Sequence, residues 1–168
     1  ASPKTLEEYV TLFSAIHSGD FNGDGKADTA GITSEKDLRD LDGFLNPAFG
    51  LRATWLKDAQ GQWTHAQISP QERDKLQYYH SLYEKGLLSS QYITTNWELK
   101  EDQFYTGKVG VVSVSSPGNV GVYQEKMRQV HPDATLMLLD PPKGPGGQGL
   151  AAVDVSMETR GFAMSTLS

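Results

Sequence analysis

Residues 20–28, Asp-Phe-Asn-Gly-Asp-Gly-Lys-Ala-Asp, put an oxygen-bearing group at every second position and a glycine at the sixth. Alternation turns those groups to the inside of one tight curve, and the glycine allows the sharp bend. This is the donor pattern of an EF-hand-type loop, with Asp20, Asn22, Asp24, the backbone carbonyl of Lys26, and Asp28 as ligands. Calcium is a hard cation that takes oxygen, so the expected cofactor is a structural calcium ion. Position twelve, where a bidentate glutamate ordinarily completes the shell, is Gly31. Asp28 must then bind directly, a distant carboxylate be recruited, or water stay in the shell. No exit-helix pattern follows and no second such loop exists, which points to a brace and not a sensor.

Around this loop the chain alternates helix and strand signals. Thr5 with Glu8 makes a capping box, and Leu6, Tyr9, Val10, Phe13 and Ile16 recur at helical spacing. A short strand is expected at Thr29–Thr33, a short helix at Ser34–Leu41 and a loop over 43–50. A hairpin is expected at Thr54–Lys57 and Gln62–His65 around a turn at Asp58–Gly61. Ser69-Pro70-Gln71-Glu72 opens a further helix with Leu76, Tyr79, Leu82 and Tyr83 inward, stopping at Gly86. Asn96–Tyr105 reads as helix and Lys108–Val114 as the best strand. A helix carrying Val122, Tyr123, Lys126 and Val130 follows Pro117-Gly118. Strands are expected at Ala134–Leu139, 150–155 and 161–165, with a mobile Pro/Gly loop at 141–149. The alternation predicts an α/β fold with a central mixed sheet flanked by helices.

Composition removes whole classes of chemistry. There is no cysteine, so thiol catalysis, disulfides and thiolate metal sites are excluded. A net charge of −6 without a basic stripe argues against nucleic acid as partner. No apolar run reaches the length of a membrane span. The four histidines show no metal spacing, and no serine sits in a G-x-S-x-G elbow. No enzyme is therefore expected, although a glycosidase carboxylate pair is a matter of geometry and stays open at this point.

Four segments in order carry a resemblance. Pro3-Lys4-Thr5-Leu6-Glu7-Glu8, the loop segment DFNGDGKADTAGIT, Leu76–Leu88 (LQYYHSLYEKGLL) and Gln103–Gly110 (QFYTGKVG) resemble segments of extracellular solute-binding proteins of ABC importers. The similar branch is the sugar-binding one, maltose-binding-protein-like and including Gram-positive oligosaccharide-binding lipoproteins. The resemblance covers the second lobe and implies that residues 1–168 are one excised lobe of a two-lobed fold, with Phe162–Leu167 heading to the hinge. It implies oligosaccharide held in the inter-lobe cleft, with the importer's membrane subunits and the amino-terminal lobe as partners. It places the parent outside the cytoplasm, as a cell-surface lipoprotein or in a periplasm.

Ligands of open α/β sheets bind at the carboxyl ends of the strands. The resemblance therefore points to Ser115, Ser116 and Asn119 after the central strand, to Ser34 and Asp37 after the first, and to Phe44 with Asn46 beyond. Maltodextrin-binding members carry an aromatic after the Gly-Pro that follows the central strand, whereas here Pro117 leads to Gly118 and Asn119. Trp55, Trp63 and Trp97 are the rings left for stacking, although packing is the expected role of Trp55 and Trp63. The competing reading is a calcium-dependent interaction or adhesion module without a transport role.

Overall fold

The computed structural model describes residues 2–114 and 119–149. Helix α1 (Leu6–His17) starts where the capping box places it: the Glu8 N–H donates to the Thr5 hydroxyl and the Thr5 N–H donates to the Glu8 carboxylate. Leu6, Tyr9 and Phe13 are buried along its inner face. Each such side chain contributes about 1.5–3 kcal/mol of burial. Strand β1 (Ala30–Ile32) is buried throughout, which suits a strand covered on both faces. It pairs in parallel with β4 (Val109–Val111), Ala30 opposite Val109 and Ile32 opposite Val111. Leu88 bridges Ile32 on the other side of β1. The described part of the central sheet is thus parallel. The antiparallel pairing expected of a mixed sheet lies apart, in the hairpin of β2 (Trp55–Lys57) and β3 (Trp63–His65).

Several elements depart from expectation for local reasons. The helix expected at Ser34–Leu41 begins later, as α2 (Arg39–Leu45), because Leu38 takes a left-handed conformation at φ 58° and breaks the run. The loop expected over 43–50 is instead the end of α2 and a 3-10 turn at Asn46–Phe49. Helix α3 (Pro70–Glu84) buries Lys75, Tyr79 and Leu82, while Leu76 and Tyr83 face outward. Lys75 is inside because its ammonium donates to Asp42 at 2.7 Å and Asn46 at 3.0 Å and lies 3.1 Å from Glu72.

Helix α4 (Trp97–Tyr105) turns Lys100, Glu101 and Gln103 inward, and β4 ends at Val111, short of the expected Val114. Helix α5 (Asn119–Val130) buries Tyr123 and Met127 and exposes Val122 and Val130.

No strand forms at Ala134–Leu139. The Gln124 side-chain amide supplies partners there, accepting from the Leu136 N–H at 2.8 Å and donating to the Ala134 carbonyl at 3.0 Å. The 141–149 segment, expected to be mobile, is tied down. The Lys143 N–H donates to the Lys4 carbonyl at 2.7 Å, and the neighbouring Asp140 carbonyl accepts from the Tyr9 hydroxyl. The strands expected near 150–155 and 161–165 lie outside the described residues. The core joins α1, β1, α2, α3 and the Leu87–Leu88 segment around Tyr9, Phe13, Ile32, Leu41 and Leu82.

Candidate functional site

Because β1 and β4 are parallel, their carboxyl ends open on one edge, at Thr33–Ser34 and at residues 112–114. The polar inner face of α4 organises that edge. Thr33 donates to the Gln103 side-chain carbonyl at 2.9 Å, and the Gln103 amide donates to Gln91 at 3.2 Å and Thr95 at 3.3 Å. The Lys36 N–H reaches the Thr95 carbonyl at 3.2 Å. Lys100, 3% exposed, donates to Glu35 at 3.1 Å and to Asp40. The loop after β1 is therefore clamped at both flanks by one buried ammonium. Next to it, Glu101 accepts from Lys126 at 2.8 Å. Burial and the Glu101 carboxylate push the Tyr105 hydroxyl up to about 12 and raise that of Tyr123 further.

Of the residues expected to meet ligand, Ser34 is wholly buried at the end of β1. Asp37 is half-exposed and lies 3.6 Å from Arg39. Phe44 stands edge-on to Tyr9, ring centroids 5.2 Å apart, and so packs toward the core. Asn46 is held by Lys75. Asn119 is the first residue of α5, and Ser115 and Ser116 lie outside the described residues. The strand-end edge thus brings Ser34 and Asp37 together on one loop. Sequence reasoning missed the clamp of Lys100, Gln103 and Thr95. Hydrophobic periodicity carries no signal for a helix whose inner face is polar, and only the buried-lysine geometry exposes it.

At the opposite, amino-terminal end of the strands, the 20–28 loop folds around Asp20. The Asp20 carboxylate accepts the N–H groups of Gly23 at 2.8 Å, Asp24 at 3.1 Å and Gly25 at 2.8 Å. Asp24 accepts from the Lys26 N–H at 2.9 Å, and Asn22 from the Asp24 N–H at 3.2 Å. Gly25 turns at φ 85°, the conformation the sixth position requires. Among the described residues, no three carboxylate or imidazole groups converge as a metal cluster. The donor set is nonetheless all oxygen, the chemistry a calcium ion takes. Gly31 explains the absent twelfth ligand. A Cβ there would stand 2.4 Å from the Phe13 Cβ, so β1 lies too close to α1 for any side chain. Thr29 ties the loop down, its hydroxyl accepting from the Phe21 N–H and donating to the Gly107 carbonyl, each at 3.3 Å. A groove of about 450 Å³ separates the loop from the 83–91 segment, taking in Asn22, Asp24, Asp28, Gln91 and Lys108.

No protein-family model matches the chain. Among solved structures, the chain is similar to an ABC-transporter substrate-binding protein, FusA of S. pneumoniae, in complex with kestose. The TM-score is 0.63 and the identity 22%, over 90% of this chain and 30% of that one. This is a solute-binding-protein fold. An HMO binding, ABC-transporter-associated solute-binding protein from Bifidobacterium longum infantis shares the fold at TM-score 0.57 and 20% identity, over 87% of this chain and 31% of that one. FusA has also been solved as an EF-hand mutant, similar at TM-score 0.61 and 21% identity over the same shares as the first structure. Among curated proteins, the polygalacturonan/rhamnogalacturonan-binding protein YtcQ of Bacillus subtilis (strain 168) is 26% identical over 117 residues. That match takes in 66% of this chain and 22% of YtcQ. The chain thus spans under a third of the proteins it matches. In the solute-binding fold seen here, the strand-end edge and the 20–28 loop sit at opposite ends of the parallel pair.

Proposed function

We propose that this chain is the second lobe of an extracytoplasmic oligosaccharide receptor serving an ABC importer, a binding protein and not an enzyme. The observation that carries the reading is the parallel β1–β4 pair, whose carboxyl ends share one edge under a rigid polar clamp. Such an edge is where open α/β folds take ligands. The sugar would lie there against a first lobe, with Asp37, Ser115, Ser116 and Asn119 offered to its hydroxyls, the buried Ser34 behind them at the end of β1 and Phe44 at the margin. Kestose, HMO and polygalacturonan/rhamnogalacturonan, the ligands named for the similar proteins, share carbohydrate chemistry, which supports an oligosaccharide here. Closure of two lobes on the sugar is the signal the importer subunits would read. The receptor is a surface lipoprotein of a Gram-positive cell or a free periplasmic protein.

Calcium on Asp20, Asn22, Asp24, the Lys26 carbonyl and Asp28 would brace the lobe. The EF-hand mutant reported for FusA and the Asp20-centred loop geometry support it. When bound, the ion supplies positive charge that holds the loop's oxygens together; it takes no part in sugar contact at the far end of the strands.

The test is an oligosaccharide panel titrated into the full-length protein by calorimetry, with small-angle scattering of the saturated state. Saturable one-to-one binding with compaction is expected, and only weak or absent binding by residues 1–168 alone. Hydrolysis of a panel sugar, or sub-micromolar binding by the 168-residue chain alone, would overturn the reading.

A further inference from the structure

The β2–β3 hairpin contributes nothing to the core, yet it carries two of the three tryptophans. Packing was their expected role, but Trp55 is 55% and Trp63 62% exposed. Register explains the arrangement. Trp55 stands opposite His65, and Lys57 opposite Trp63, so all four project from one face while the half-buried Leu56 and Thr64 project from the other. Each indole therefore has a nitrogen-bearing neighbour across the strand. His65 lies edge-on to Trp55 with centroids 5.2 Å apart, and the Lys57 ammonium lies over Trp63 at 5.4 Å.

We propose that this face is a second sugar-binding platform, for an acidic, uronate-containing oligosaccharide. Tryptophan offers a large flat apolar surface with little rotamer entropy to lose, which suits the apolar C–H patches of a sugar ring. The neighbours hold the rings in place before any ligand arrives. Acid recognition comes from the same face. The His65 Nδ1 accepts the Gln67 N–H at 3.3 Å, which leaves Nε2 as a donor, and Lys57 adds a full positive charge. The hairpin's own carboxylate, Asp58, keeps its charge but sits in the turn, where its Oδ1 accepts the N–H groups of Gln60 at 2.9 Å and Gln62 at 2.7 Å, and alternation places it off the face of Lys57 and the two indoles. The chain's net charge of −6 works against an anion at long range, so acid recognition here rests on the local positive charge of Lys57 beside the indoles. Two three-residue strands are also far too small for a stable protein interface, which needs on the order of 1,000 Å².

The platform does not depend on the importer reading, and the experiment separates them. Trigalacturonate and its neutral methyl ester are titrated calorimetrically into the full-length protein, its W55A, W63A and K57Q variants, and D37A at the strand ends. Circular dichroism verifies the fold of each. W55A and W63A are each expected to weaken trigalacturonate binding about tenfold. K57Q should weaken the acid and leave the ester unchanged, and D37A should leave platform binding intact. Absence of saturable trigalacturonate binding, or equal affinity for acid and ester, overturns the proposal. So does loss of all sugar binding in one hairpin variant, which would merge the two sites. Protection of Trp55 and Trp63 from acrylamide quenching in the ligand-free protein also overturns it, since another part of the same protein would then cover the face. Platform binding without any strand-end sugar would sink the importer reading alone.

Discussion

Gly31 carries two roles that conflict in sequence and agree in space. As the twelfth position of the 20–28 loop it ought to be glutamate, and as the middle of β1 it must have no side chain. The 2.4 Å approach of Phe13 decides for glycine. Gly31→Ala should therefore destabilise the chain by about 1–3 kcal/mol through overpacking. Gly31→Glu, which completes the EF-hand pattern on paper, should destabilise it more and tighten no ion. Urea melts of the two variants check this, and an unchanged midpoint for Gly31→Ala would contradict the close packing. Trp55 and Trp63 teach the same lesson in reverse. Apolar character alone assigned them to packing, but burial depends on a second surface, and on the hairpin's outer face none of the described residues supplies one.

At the scale of elements, α4 shows why hydrophobic patterning has limits. Its extent was readable to within a residue, and the structure adds the cap, the Asn96 side chain accepting from the Leu99 N–H at 2.9 Å. Its inward face was not, because Lys100, Glu101 and Gln103 are buried by their partners on distant segments. Lys100 faces Glu35 and Asp40, and the three form one unit. Lys100→Met leaves two carboxylates without their cation and should cost about 3–5 kcal/mol. The triple variant Lys100→Met, Glu35→Gln, Asp40→Asn should recover most of that, because no charge is then stranded. Denaturant melts of both measure the difference, and equal losses would show that the clamp is packing and not charge. The same comparison explains Ala134–Leu139, where β propensity was present but the Gln124 amide took the place of a neighbouring strand.

For the whole molecule, the loop and the open edge lie at opposite ends of the parallel pair, and in the proposed reading the first braces the lobe and the second binds. A ligand that prefers the native state raises its stability, by about 2.7 kcal/mol at a hundredfold excess over its Kd. Calcium should accordingly raise the Tm against chelator, and Asp20→Asn with Asp24→Asn should abolish the rise. An equal Tm with and without calcium would remove the ion from the account. The sequence by itself determined α1 and its capping box, the hairpin, the Ser69 start of α3, the extent of α4, the loop's donor pattern and the α/β class. These are local matters of spacing, capping and turn chemistry that neighbouring residues settle among themselves. Only the tertiary structure decided the late start of α2, the polar face of α4, the close packing that leaves no room for a side chain at Gly31 and the exposed tryptophans. Each of those turns on which distant surface comes within a few ångströms, and a linear pattern does not encode that distance.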